Sequence, residues 1–151
     1  MHSVVISDTS TLTIFEKIDI FDLLNQIYGE VIITPEIAEE YGEKLPEWVR
    51  IQAVNDKKYF DFLNTQIDKG EASGLALASE FDDVLLILDD LKARKLANRL
   101  NFRFTGTLGV IFKAKQMSLI SGIKPLIIKL LSTNFRVADH IVEEILRMSE
   151  E

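Results

Sequence analysis

Four acidic side chains stand where carboxylates can do chemistry together. Asp8 and Asp89 each follow directly after a short apolar run, and Glu40 and Glu71 lie in segments with helical patterns. If all four approached within about 5 Å, each ionised pair would repel by about 3 kcal/mol at an effective dielectric constant near 20. Six such pairs are too many for a marginally stable domain without a cation or protonation. A cluster of this kind therefore predicts a divalent cation site.

Mg²⁺ or Mn²⁺ would be the natural occupant of such a site, because hard divalent cations prefer carboxylate oxygen and water. Such a cation lowers the pKa of a bound water and stabilises the charge that grows on a phosphate during in-line attack. The chemistry predicted is phosphodiester hydrolysis that needs neither His nor Cys. The candidate catalytic residues and metal ligands are Asp8, Glu40, Glu71 and Asp89, with Asp90 as a further candidate ligand.

Each of these acids also has an ordinary structural interpretation. Asp8 and Asp89 can be helix N-caps, which accept backbone N–H groups at the start of a helix. Glu40 can be a solvated helix residue, and Glu71 can be a first-turn acid favoured by the helix dipole. Asp90 either assists Asp89 or begins the following helix. The sequence leaves these alternatives open.

Two hydroxyl side chains accompany the acids. Ser10 and Thr107 follow predicted strands and are interpreted as helix caps. Either hydroxyl could also contact a metal-bound water or a phosphate. Both are therefore candidate residues of an outer layer of the site.

The composition excludes several other kinds of active site. The chain has 151 residues, no Cys and two widely separated His, His2 and His140. Thiolate nucleophiles and Cys-based metal centres are excluded, and a His-rich metal centre or a Ser-His-Asp triad is not expected. The length suits one sizeable core, so we predict a single domain over residues 1–151. Without a secretory signal pattern or a run of about 18 apolar residues, we expect a cytoplasmic protein with no membrane partner.

The charges are segregated along the chain. Residues 1–90 carry 19 acidic and 6 basic side chains, whereas residues 91–138 carry ten basic and no acidic ones. Because the whole chain has a net charge of −7, it would bind a polyanion only through such local segregation. Solvated helix faces that happen to be basic are the alternative. The candidate nucleic-acid-binding residues are Lys92, Arg94, Lys95, Arg99, Arg103, Lys113 and Lys115.

Short aliphatic runs alternate with helical patterns, which predicts βαβ units and a parallel sheet. Strands are predicted at 4–6, 31–33, 48–51, 84–88 and 102–104, with 84–88 as the central strand because it is the most apolar. The C-terminal third is predicted to be helical, over 107–117, 123–132 and 137–149. Since ligands bind at the carboxyl ends of parallel strands, Asp8 and Asp89 would converge if their strands were neighbours.

Five short motifs follow one another between about residues 4 and 120. They are VVISDTS at 4–10, PxIxxE at 35–40, GEAxGLALA at 70–78, LILDD at 86–90, and GTLG at 106–109 followed by AK at 114–115. In this order and spacing they resemble the PIN-domain nucleases. The resemblance is strongest to the compact prokaryotic branch related to the toxins of toxin–antitoxin pairs.

The resemblance implies a three-layer α/β/α sandwich with a central parallel sheet of about four or five strands and a metal-dependent ribonuclease site. The family's first two acids correspond to Asp8 and Glu40. Its third, more often Asp in the toxins, corresponds to Glu71, and its fourth to Asp89 or the adjacent Asp90. The resemblance also implies RNA as substrate, Mg²⁺ or Mn²⁺ as cofactor, a small antitoxin protein as partner, and a homodimer.

Two other classes of function compete with this hypothesis. A catalytically inactive module of the same fold would bind RNA or a protein partner, although an intact set of four acids argues against it. A phosphotransfer domain with a phospho-accepting Asp is the third class. Such domains require a second acid close to the first, and position 10 is Ser.

Overall fold

A parallel five-stranded sheet organises residues 3–151, the part of the chain that the computed structural model describes. The strands lie in the spatial order β3-β2-β1-β4-β5. In chain order they are β1 (Val4–Ser7), β2 (Val31–Ile33), β3 (Val49–Ile51), β4 (Val84–Ile87) and β5 (Arg103–Thr105). The predicted parallel sheet and its five strands are confirmed.

Nine helices within the described residues connect and cover these strands. They are α1 (Thr9–Lys17), α2 (Asp22–Tyr28), α3 (Pro35–Tyr41), α4 (Lys57–Asn64), α5 (Lys69–Ala78), α6 (Leu91–Arg99), α7 (Thr107–Gln116), α8 (Lys124–Leu131) and α9 (Asp139–Met148). The last three confirm the predicted helical C-terminal third. None of these nine helices has both the length and the apolarity that crossing a membrane would require.

Buried side chains form two clusters, one on each face of the sheet. Val5 and Ile6 are neighbours on β1 and point to opposite faces, because side chains alternate along a strand. Val5 packs in a cluster with Phe15 of α1 and with α7 and α8, whereas Ile6 packs in a cluster with Leu75 of α5 and with α4 and α6. The predicted three-layer α/β/α sandwich is therefore confirmed.

The central strand is β1, so the prediction that residues 84–88 form it is wrong. Strand β4 is an interior strand that pairs with β1 on one side and with β5 on the other. A continuous apolar run indicates that a strand is covered on both faces, which applies to every interior strand of a parallel sheet. The run therefore does not distinguish the middle strand from its neighbour.

The position of Glu40 in its helix differs from the predicted one. Glu40 is expected near the middle of its helix, but α3 ends at Tyr41 because Gly42 adopts a left-handed backbone with a φ of +70°. Glu40 therefore lies in the last turn. His140 is exposed at the start of α9, and His2 lies outside the described residues.

The side chain of Glu151 caps the start of α8. Its carboxylate accepts the N–H groups of Ile123 at 2.7 Å and Lys124 at 3.0 Å, and it lies 3.3 Å from the Lys115 ammonium. These donors favour the ionised form and lower the pKa of Glu151 to about 2. These contacts hold Glu151, which follows α9, against the start of α8.

Two glycines are expected to respond to alanine in opposite directions. A Cβ at Gly74, inside α5, would lie 3.6 Å from Ile37 and 3.8 Å from Ile6, which are ordinary contact distances. Gly74→Ala should raise the free energy of unfolding by about 0.5–1 kcal/mol, the usual cost of glycine in a helix. Gly29 ends α2 with a φ of +78°, so Gly29→Ala should lower the free energy of unfolding by about 1 kcal/mol. Urea unfolding curves measure both shifts, and shifts of the same sign would contradict this account.

Candidate active site

The pairing of β1 with β4 places two of the predicted acids side by side. The two strands run parallel in a register that pairs Ser7 with Ile87. Asp8 follows β1 directly and Asp89 follows β4 after one residue, so both lie at the carboxyl edge of the sheet. The backbone N–H of Asp89 donates to Asp8 Oδ2 at 3.1 Å. The condition that their strands be neighbours is thus met.

Asp8 is the N-cap of α1. Its Oδ1 accepts the backbone N–H of Thr11 at 2.9 Å, and only 6% of the residue is exposed. Burial, followed by the charge of Asp89, raises the pKa of Asp8 to about 6, against the lowering effect of its hydrogen bonds. Asp8 thus has a structural role as a cap and also carries a charge that its surroundings disfavour.

Asp89 is held in one orientation by two threonines. Its Oδ1 accepts the backbone N–H of Thr107 at 2.9 Å, and its Oδ2 accepts the Thr107 hydroxyl at 2.5 Å and the Thr11 hydroxyl at 3.2 Å. The guanidinium of Arg94 lies 4.0 Å from Oδ1. Five hydrogen bonds, donated by Thr11, Asp89 and Thr107, therefore hold the two neighbouring carboxylates.

Three side chains cap differently from the prediction. Helix α6 is capped by Asp90, whose Oδ2 accepts the Ala93 N–H at 2.9 Å, and not by Asp89. Thr107 is the first residue of α7, after the N-cap Gly106, and its hydroxyl contacts Asp89. Ser10 is the second residue of α1 and is exposed. The interpretation of Ser10 and Thr107 as caps is wrong, because Asp8 and Gly106 occupy those positions.

Glu71 lies in the first turn of α5, as predicted, and lines a small cavity together with Asp8. The cavity measures about 10 Å³, close to the room that one water-sized atom needs. Burial, and then the charges of Asp68, Asp90 and Glu40, raise the pKa of Glu71 to about 7. The cavity is lined mainly by apolar atoms, and it adjoins two acidic residues whose ionised forms are disfavoured.

Glu40 reaches this edge from α3 but remains exposed. Its Oε1 lies 3.0 Å from the position of a Cβ on Gly70, so its carboxylate rests against the first turn of α5. Its charge contributes to the raised pKa of Glu71. The four predicted acids thus form two pairs, Asp8 with Asp89 and Glu71 with Glu40, which meet where Asp8 and Glu71 line the same cavity.

A buried chain of hydroxyl groups positions the first turn of α5. Ser73 Oγ donates to the Gly70 carbonyl at 2.7 Å, which uses its only proton, so the 2.6 Å contact with Thr34 is donated by Thr34 Oγ1. Thr34 Oγ1 also accepts the Ile37 N–H at 3.1 Å and caps α3. The start of α5, and with it Glu71, is thereby tied to the start of α3.

Some of the predicted basic residues lie near the acids. Lys92 lines a cavity together with Asp68 and Asp90, and Arg94 lies beside Asp89. The remaining basic residues of α6, Lys95 and Arg99, are exposed on that helix.

Other basic residues are placed away from this edge. Arg103 begins β5 at the opposite edge of the sheet, where it forms a 2.8 Å ion pair with Asp83. Lys113 lines a cavity with Ser3 and the first residues of β1, also at that edge. Lys115 pairs with Glu151 near the start of α8. The basic segment therefore does not form one continuous face beside the carboxylates.

Two residues near the acids are not identified from the sequence. Thr11 donates its N–H to Asp8 and its hydroxyl to Asp89, and Asp68 adds negative charge beside Glu71. Thr11 lies three residues after Asp8, the usual spacing between an N-cap and the N–H that it accepts. That spacing is the signal by which Thr11 could have been found.

The carboxylates of this edge have the donor chemistry that a hard divalent cation needs. Within residues 3–151, no three His, Asp or Glu side chains are gathered so that they could hold a metal ion together. Mg²⁺, however, is usually bound through one or two carboxylates and several waters. Asp8 and Glu71 are two such carboxylates at this edge of the sheet, and a cation bound to their oxygens would offset the burial that raises both pKa values. The small cavity that both residues line has room for one water only, so the cation and its waters would lie outside it.

Comparison with known proteins identifies the family. A family model described as a PIN domain (DUF3368) matches residues 4–151, nearly the whole chain. A comparison with curated proteins gives no match. PIN domains are generally nucleases and generally use divalent metals, so the fold found here is a nuclease fold. The chain belongs to the PIN-domain family.

Proposed function

We propose that this protein is a metal-dependent endoribonuclease. The observation that carries the proposal is the position of three acidic residues at one edge of the sheet: Asp8 lies beside Asp89, and Glu71 lines the same small cavity as Asp8. Membership of a family of nucleases supports hydrolysis of phosphodiester bonds as the reaction. RNA as substrate and Mg²⁺ or Mn²⁺ as cofactor are the finer parts of the proposal.

In the proposed mechanism, Asp8 and Glu71 would hold the divalent cation, which would lower the pKa of a bound water and stabilise charge on the phosphate. Asp89 orients the attacking water by a hydrogen bond, and Thr107 and Thr11 fix the direction of its carboxylate. Arg94 places a positive charge 4.0 Å from Asp89, where the RNA backbone would approach. The water oxygen forms a bond to phosphorus and the bond from phosphorus to the leaving oxygen breaks. The attacking water releases one proton to solvent, and the leaving oxygen takes up one proton from solvent.

The proposal includes a biological setting. The order of motifs from VVISDTS to GTLG, similar to that of the toxin-related PIN domains, supports a cytoplasmic toxin of a toxin–antitoxin pair. A small antitoxin protein would silence it, and the protein would act as a homodimer. RNA would approach over the basic residues nearest the acids, Lys92, Arg94 and Lys95.

A non-catalytic module that binds RNA or a protein is the second candidate function. One observation favours it: several acids already have structural roles that need no cation. Asp8 and Asp90 cap α1 and α6, and Asp89 accepts hydrogen bonds from Thr107 and Thr11. Cleavage and binding assays with Asp8→Asn separate the two functions.

Asp8→Asn should abolish cleavage without unfolding the protein. The Asn Oδ1 can still accept the Thr11 N–H, because Asn is as good an N-cap as Asp, but the charge is lost. The Asn amide nitrogen cannot accept the Asp89 N–H, so we also expect the free energy of unfolding to fall by about 1–3 kcal/mol. We expect cleavage of a mixed panel of single-stranded RNAs with Mn²⁺ or Mg²⁺ to fall at least about 100-fold, as when a main electrostatic group is removed. EDTA should stop cleavage by the unchanged protein.

The matched control for this experiment is Asp61→Asn, which removes an exposed acid from α4. It should cleave like the unchanged protein. RNA binding without cleavage by any of these proteins would favour the non-catalytic module.

Thr107→Ala should lower the cleavage rate about 10- to 100-fold, the usual effect of removing a group that orients an active-site residue. The substitution removes the 2.5 Å hydroxyl contact with Asp89 but keeps the backbone N–H. Thr107→Ser, which keeps the hydroxyl, should restore most of the rate. Steady-state kinetics on one labelled RNA compares the three proteins, and an equal loss in both variants would contradict an orienting role.

A cation site between Asp8 and Glu71 also predicts a pH-dependent gain in stability. Their folded pKa values, about 6 and about 7, exceed their usual values of 3.8 and 4.5, so the folded protein binds more protons over this range. Without metal, the free energy of unfolding should therefore fall as the pH rises from about 4 to 7. The low pKa of Glu151 acts below pH 4.5 and does not affect the interval from pH 5 to 7.

Added Mg²⁺ should oppose this fall, because it binds the ionised carboxylates. We expect the shift of the urea midpoint on adding Mg²⁺ to be larger at pH 7 than at pH 5, and to shrink in Glu71→Gln. Asp61→Asn is again the matched control and should respond to Mg²⁺ like the unchanged protein. A midpoint that does not respond to Mg²⁺ or Mn²⁺ at pH 7 would refute the cation site.

A further inference from the structure

A second cavity is lined by Asp89 but not by Glu71. It has a volume of about 460 Å³, within the range of cavities that bind small organic ligands. Arg94 and Phe104, which lie one over the other, also line it, as do Phe135 and Arg136. The cavity thus combines two arginines and two aromatic rings next to a candidate catalytic acid.

Arg94 is fixed in this cavity by contacts on two sides. Its Nε donates to the Leu88 carbonyl at 2.6 Å, and its guanidinium lies over the ring of Phe104, 5.2 Å from the ring centre. The 4.0 Å from its Nη2 to Asp89 Oδ1 is too long for a hydrogen bond. Nη2 is therefore held in place but is still able to donate to a ligand beside Asp89.

Gly106 leaves the space that Arg94 occupies. A Cβ on Gly106 would collide with the Arg94 guanidinium and would lie 2.6 Å from Asp89 Oδ1. The backbone conformation of Gly106 is extended, so the requirement for glycine comes from this close approach and not from its φ. The absence of a side chain at the start of α7 therefore allows the Arg94 guanidinium to lie next to Asp89.

Phe135 and Arg136 add an aromatic ring and a positive charge to the lining of this cavity. Phe135 is half-buried, Arg136 is exposed, and Ile141 of α9 adds a further apolar side chain. Phe135 and Arg136 also line a cavity with Ser10, Asp89 and Asp90. Arg136 therefore lines two cavities that the candidate catalytic acid Asp89 also lines.

We infer that the 460 Å³ cavity binds the nucleotide next to the scissile phosphodiester of single-stranded RNA, an inference that rests on the proposed nuclease function. Arg94 and Arg136 contact its phosphate, because guanidinium groups pair with phosphate through several hydrogen bonds. The base packs on Phe135, since unpaired bases stack on aromatic side chains. In a chain with a net charge of −7, this is a local positive site for the polyanion.

The test measures RNA binding separately from cleavage. Fluorescence anisotropy of a labelled single-stranded RNA hexanucleotide is recorded in EDTA with the Asp8→Asn protein and with the same protein carrying Arg136→Ala or Arg94→Lys. We expect each second substitution to raise Kd about tenfold, the effect of losing one charged hydrogen bond. For Arg136→Ala, the slope of log Kd against log salt concentration should fall by about 0.7, the value for one phosphate contact on a single strand.

Arg147→Ala is the matched control, because Arg147 is an exposed arginine near the end of α9 that pairs with Glu144. Kd should stay within about twofold of the parent value for this variant. Arg136 is exposed, so its substitution tests the inference even if Arg94→Lys fails to fold.

The outcomes separate this inference from the proposed function. If the RNA binds and neither arginine variant changes Kd or the salt slope, the nucleotide site is refuted, whether or not the unchanged protein cleaves RNA. If the arginine variants lose affinity while the unchanged protein cleaves nothing, the nucleotide site stands and the nuclease proposal fails. The absence of measurable binding to the hexanucleotide refutes the site.

Discussion

The parallel pairing of β1 with β4 is the constraint on which the carboxyl edge of this sheet depends. The register brings Asp8 and Asp89 so close that the backbone N–H of one donates to the carboxylate of the other. Two like charges in a largely buried place destabilise each other. The hydrogen bonds from Thr11 and Thr107, and the nearby positive charge of Arg94, all offset this repulsion. The helices α1, α6 and α7 are arranged around the edge so that they supply these groups.

The second layer of the site depends on small side chains. Gly70 in α5 leaves room for the carboxylate of Glu40, and the hydroxyl chain from Thr34 through Ser73 fixes the first turn of this helix. Glu71 is positioned by that turn and not by a contact of its own with Asp8. The distance between the two carboxyl groups is therefore set by helix packing, which resists change more than an exposed side chain does.

The fold and the main acids could be predicted from the sequence because both leave local signals. Continuous apolar runs mark interior strands, and an acid directly after such a run must lie at the carboxyl edge. The position of Arg103 could also have been inferred, since the first residue of a parallel strand lies at the opposite edge. In contrast, the stacking of Arg94 on Phe104 and the contact of Thr107 with Asp89 depend on how separate elements pack. No pattern within a single segment reveals such contacts.

The use of Asp8 as a helix cap has a consequence for how this kind of protein can change over time. Asn, Ser and Thr also cap helices well, so exchanging the acid for one of them would leave the start of α1 intact. The start of α1 therefore does not require a negative charge at this position, and burial even disfavours one. The cost of the exchange is the contact with the Asp89 N–H, which only the second carboxylate oxygen accepts. The charge that the proposed cleavage needs and the cap that α1 needs are thus separate properties of one side chain. A nuclease and a descendant that binds RNA without cleaving it could therefore be connected through intermediates that all fold.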